Sequence, residues 1–85
     1  MYRIRAIFKD GVPRTDGRYP LRIGCTGMIK LLMHGASMLF EYRTDQVGLP
    51  KGGTLQTSIV LDFHIHDGVI CVNTMNSRYI LEPLN

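Results

Sequence analysis

Leu55-Gln56-Thr57-Ser58-Ile59-Val60-Leu61-Asp62-Phe63-His64-Ile65-His66, then Asp67-Gly68, then Val69-Ile70-Cys71-Val72-Asn73-Thr74, then Met75-Asn76-Ser77, then Arg78-Tyr79-Ile80-Leu81-Glu82-Pro83-Leu84: this C-terminal stretch decides the fold class. Its runs are rich in β-branched and aromatic residues and are separated by turn residues. Asp-Gly between two such runs is a strong hairpin signal, because both central residues of a type I′ turn need φ > 0. The stretch predicts three antiparallel strands. Leu55–His66 is long for a single strand, so a bend is expected near Ser58–Val60, where the strand passes from one side of a barrel to the other.

The rest of the chain follows the same rule. Tyr2, Ile4, Ala6 and Phe8 alternate with Arg3, Arg5 and Ile7, which predicts a half-buried strand with its arginines outward. Lys9–Tyr19 contains Asp10-Gly11, Pro13 and Asp16-Gly17 and reads as a loop. Leu21-Arg22-Ile23-Gly24-Cys25 alternates and reads as a strand, with Gly24 and Gly27 marking a bulge or sharp bend. Met28–His34 fits a short strand turning at His34-Gly35, or a short helix capped by Thr26. The strand is favoured, since the helix would be very short and lacks an acidic first turn. Met38–Thr44 is a strand with Met38, Phe40 and Tyr42 on one face, and Asp45–Gly53 is a loop. The expectation is a single all-β domain over residues 1–85: a small antiparallel barrel of SH3-like or OB-like size with five to seven strands. The chain is too short for the two full sheets of an immunoglobulin-like sandwich.

The chain has 85 residues and a net charge of +3. Residues 1–22 carry Arg3, Arg5, Lys9, Arg14, Arg18 and Arg22 against Asp10 and Asp16, and the remainder is slightly acidic. A basic first quarter can steer anionic partners. Apolar runs such as Leu31-Leu32-Met33 are far too short to span a bilayer, so no membrane partner is expected. Met1–Arg5 leads directly into a strand pattern without a signal-peptide core, which predicts a cytoplasmic protein. Cys25 and Cys71 are expected to be reduced, buried small hydrophobes.

No constellation of catalytic residues is evident. Gly24-Cys25-Thr26-Gly27 and Pro50-Lys51-Gly52-Gly53 lack the Gly-Lys-Ser/Thr and the strand-to-helix context of a phosphate loop, and Gly-x-Ser-x-Gly is absent. The expectation is a non-enzymatic protein without catalytic residues or cofactor. Asp62, His64 and His66 alternate along a strand, and two imidazoles at that spacing can share a metal with Asp62 as third ligand. The alternative is the polar face of a hairpin. Thr57, Ser58, Asn76 and Ser77 read as turn chemistry at strand ends, or as a hydrogen-bonding rim.

Thr57-Ser58-Ile59-Val60 and Thr74-Met75-Asn76-Ser77-Arg78-Tyr79 resemble the C-terminal half of small uncharacterised bacterial proteins with a Thr-Ser-x-Val … Thr-x-Asn-Ser-x-Tyr pattern. The resemblance implies a compact β-barrel-like domain of the bacterial cytoplasm and brings no activity or site with it.

Two classes of function follow. A protein-interaction or assembly module leads, because an open barrel leaves strand edges that recruit another chain or a second copy; Arg3 and Arg5 would then protect one edge. The alternative is binding of single-stranded nucleic acid through Arg3, Arg5, Lys9, Arg14, Arg18 and Tyr19, with Tyr2 and Tyr42 as further stacking candidates.

Overall fold

The computed structural model describes residues 1–84. In chain order the elements are β1 (Tyr2–Lys9), β2 (Val12–Pro13), α1 (Tyr19–Arg22), β3 (Thr26–Leu31), β4 (Ser37–Thr44), β5 (Thr54–His66), β6 (Val69–Thr74) and β7 (Arg78–Pro83). All pairings are antiparallel. The seven strands form one sheet in the order β2-β1-β3-β4-β5-β6-β7, and β1 also pairs with β7. A ring of hydrogen-bonded strands results, as expected of an all-β chain of this size. The N-terminal strand is therefore no free edge: it is paired with β7 from Tyr2 to Phe8 on one side and with β2 and β3 on the other.

Bulges make this closure possible. The register slips within β1 between Ile4 and Ala6, within β3 between Ile29 and Leu31, and within β5 between Val60 and Asp62. Each extra residue bends its strand and adds twist. In β5 the buried positions Leu55 and Thr57 are followed by Val60, so the period of two breaks at the expected bend. The first half of β5 pairs with β4 and the second half with β6.

The slip in β1 overturns the expected inward face. Ile4 and Ile7 are buried, whereas Ala6 and Phe8 lie half-exposed on the outside. A one-residue bulge reverses every later side chain, and period-two reading carries no sign of it. The expected strand at Leu21–Cys25 is instead the helical turn α1 and its exit. Pro20 sits in the first turn with its φ already suited to a helix, and Gly24 leaves at φ +91°. The short helix is thus at Tyr19–Arg22, and Met28–Leu31 is strand. Within the expected loop, Asp10 (φ 52°) and Gly11 (φ 78°) form a tight turn like that of Asp67 (51°) and Gly68 (79°). It pairs Lys9 with Val12.

Ile4, Met38, Phe40, Val60, Val72 and Leu81 fill the centre with no exposure. Tyr79 joins them at 2% exposure, and its hydroxyl accepts a bond from Arg22 Nη1 at 2.8 Å. The Thr and Ser residues of the corners serve the backbone. Thr57 Oγ1 accepts from Met38 N–H, Ser58 Oγ from Asn76 N–H, and Thr74 Oγ1 from Ser77 N–H. Both cysteines are free thiols; Cys25 is buried, but Cys71 is half-exposed on the outside of β6, against the expectation of burial. Among the described residues no helix is long and apolar enough to cross a membrane.

Gly27 gives a test of this packing. A Cβ there would collide with the Glu41 carbonyl oxygen and the Phe40 ring, both held in the β4 ladder and the core. Gly27→Ala is expected to lower stability by about 2–4 kcal/mol in a denaturant melt, while Gly48→Ala, in open space at positive φ, costs about 1 kcal/mol. Equal effects would contradict the close approach of β3 and β4.

Candidate anion-binding site

Five residues, Arg14 to Arg18, separate β2 from α1, and Arg14 and Tyr19 hold that segment in place. Arg14 Nε and Nη2 donate to the two carboxylate oxygens of Asp16, at 3.0 and 2.6 Å. Its Nη1 donates to Ser77 Oγ and the Asn76 carbonyl, and its guanidinium lies 3.7 Å over the Tyr19 ring. Only a tenth of the side chain is exposed. Arg22 approaches the same ring at 4.6 Å while bonding Tyr79. Two guanidiniums over one ring each gain cation–π attraction, and Asp16 offsets part of their mutual repulsion.

These contacts place α1 beside the β4–β5 loop. Gln46 Nε2 donates to the carbonyls of Pro20 (2.6 Å) and Ile23 (2.8 Å), satisfying acceptors at the end of the helical turn. Asp45 Oδ1 accepts from the N–H groups of Val47 and Leu49, which folds the loop back and presents Lys51. Between α1 and this loop lies a cleft of about 300 Å³ around Arg18, Arg22, Lys51, Tyr42, Thr54 and Gln56. Three cations line it and no carboxylate does. None of the three forms a salt bridge among the described residues. Lys51 also lines two adjoining clefts, one of which it shares with Arg43. Lys51 Nζ is 4.9 Å from the centre of the Tyr42 ring, which packs edge-on against Phe40. Burial pushes the Tyr42 phenol up to about 12, with Arg22 pulling the other way, so it stays neutral and keeps a proton to donate. Burial likewise raises the Cys25 thiol, which suits a packed thiol rather than a nucleophile.

The residues singled out in the sequence are dispersed. Of Arg3, Arg5, Lys9, Arg14, Arg18 and Tyr19, only Arg18 lines this cleft. Arg14 and Tyr19 are internal scaffolding. Arg3 lies on the outside of β1, 3.5 Å from Glu82, and Arg5 is exposed at the β1 bulge. Lys9 lines a separate polar cleft of about 360 Å³ with Asn73 and Arg78. Asp62, His64 and His66 share the outer side of β5, but His64 Nε2 turns to Asp62 (3.7 Å) and His66 Nε2 to Asp67 (3.4 Å). Asp62 also accepts from Asn73 at 2.5 Å. Among the described residues no three His, Cys, Asp or Glu side chains are gathered as a metal site would need.

Sequence reasoning passed over Arg22, Lys51 and Gln56 as members of one site. Arg18 and Arg22 stand four residues apart, the spacing of neighbours on a helical turn, but that signal vanishes once the segment is read as a strand. Lys51 and Gln56 are brought in by the loop and by β5 and have no local signature. Compared with known proteins, the chain matches no family model, no curated protein and no solved structure.

The Arg14–Asp16 clamp sets an acid limit. Asp16 is held below its ordinary 3.8 chiefly by its hydrogen bond to Arg14. A carboxyl depressed in the folded state contributes stability that is present above its unfolded value and lost as pH falls through the folded one. Amide resonances of residues 14–19 should therefore be constant from neutral pH down to about pH 4 and move together below it. Asp16→Asn should abolish that transition; a common movement already near pH 6 would contradict the clamp.

Proposed function

We propose that this chain is a non-enzymatic binding module that takes the phosphate backbone of single-stranded nucleic acid in the cleft between α1 and the β4–β5 loop. The observation that carries the reading is the meeting of Arg18, Arg22 and Lys51 in one cleft without a lining carboxylate. Three unneutralised cations within one small concavity raise the local potential and favour a polyanion over a neutral ligand. Arg22 is held by Tyr79 and lies over Tyr19, so its position is fixed before a ligand arrives. Less ordering is then needed on binding. Thr54, Gln56 and the neutral Tyr42 phenol add polar groups for orientation. The free thiols fit the reducing interior of a bacterium, where the module would act.

The reading sets a number of charges. With three phosphate contacts on a single strand, log K should fall with log salt at a slope of about −2. Fluorescence anisotropy with a short labelled single strand measures this. Lys51→Ala and Arg18→Ala should each weaken binding by about 3- to 10-fold and make the slope shallower by about 0.7. Arg3→Ala and Arg5→Ala, outside the cleft, should leave both unchanged. Binding insensitive to salt, or weakened equally by all four substitutions, would overturn the proposal.

A further inference from the structure

On the outward side of β5, β6, β7 and β1 a short apolar row is set among charged and polar side chains, Arg3, Arg78 and Glu82 with them. Register pairs His64 with Cys71, Cys71 with Ile80, and Ile80 with Ala6, so these four stand side by side in one row across the strands. Cys71, Ile80 and Ala6 are each half-exposed. Along β7, Ile80 is flanked on the same side by Arg78 and Glu82, a cation and an anion at equal distance from it. Within the chain Arg78 Nε donates to Asn73 Oδ1 at 2.8 Å and Glu82 lies 3.5 Å from Arg3.

We infer that this face is an interface between two copies of this chain. The copies are related by a half-turn about an axis that lies in the face, perpendicular to β7. That operation lays the row through Ile80 on itself and exchanges the rows on either side. Ile80 meets its counterpart, Arg78 faces the partner's Glu82, and Glu82 faces the partner's Arg78. Opposite charges disposed symmetrically about an apolar centre are what a two-fold, self-complementary contact requires, and this is what selects a second copy as the occupant. A stable dimer buries about 800 Å² on each partner, roughly a sixth of the 5186 Å² this chain exposes. The outer face of a closed ring is convex, which confines contact to β7 and its neighbours and makes the dimer reversible.

Sedimentation equilibrium from about 10 μM to about 1 mM tests the inference. The wild-type mass should rise from monomer toward dimer over that range. Arg78→Glu and Glu82→Arg, each alone, should weaken dimerisation at least about 10-fold by setting like charges opposite each other. The double variant Arg78→Glu with Glu82→Arg should return to within about 3-fold of wild type. Ile80→Lys should abolish the dimer. All three side chains point out of the ring, and amide spectra matching wild type would show that each variant is folded. A monomer at about 1 mM, single variants or Ile80→Lys that dimerise like wild type, or a double variant no better than the singles would each overturn the inference.

Discussion

The pairing of β1 with β7 is the constraint on which the rest depends. It joins Tyr2 to Pro83 across nearly the whole chain and turns an open sheet into a ring. Closing so long a loop costs entropy that local contacts do not offset, and the compensation comes from burying Ile4, Ile7, Tyr79 and Leu81 where the two strands meet the core. A topology built on such distant partners folds slowly relative to helical chains of the same length. It also removes the N-terminal strand edge through which an open sheet would recruit another chain.

The arginines of the first quarter divide into two kinds. Arg14 has every direction of its guanidinium engaged, by Asp16, by the Ser77 corner and by the Tyr19 ring. It links the segment before α1 to the turn between β6 and β7, more than sixty residues later, and so belongs to the fold. Arg18 and Arg22, one helical turn apart, line a cleft with Lys51. Equal formal charge therefore says little about availability: a bidentate carboxylate neutralises one cation while the lack of any carboxylate leaves the others to attract a ligand.

The corners show the same economy of residue types. Thr57, Ser58 and Thr74 bind backbone groups where strands bend or turn, while Ser77 Oγ accepts from Arg14. Such groups would otherwise be left without ladder partners, which is why short hydroxyl side chains recur there. The pattern Thr-Ser-x-Val … Thr-x-Asn-Ser-x-Tyr thus has a structural account in these bonds and in the buried Tyr79.

Sequence by itself determined the strand class, the hairpin at Asp67-Gly68 and the bend in β5, because period-two alternation and positive-φ turn residues are local signals. For the same reason it placed Met38 and Phe40 on one face, and both are fully buried. Only the tertiary structure decided the face of β1 beyond Arg5, the helical turn at Tyr19–Arg22 and the membership of the cleft. A bulge is a property of two paired strands, so one strand's pattern cannot contain it. A four-residue helix is held by Gln46 and Tyr79 rather than by its own propensity. Lys51 meets Arg18 and Arg22 because the β4–β5 loop folds against α1, a contact between segments with nothing in their local sequence to announce it.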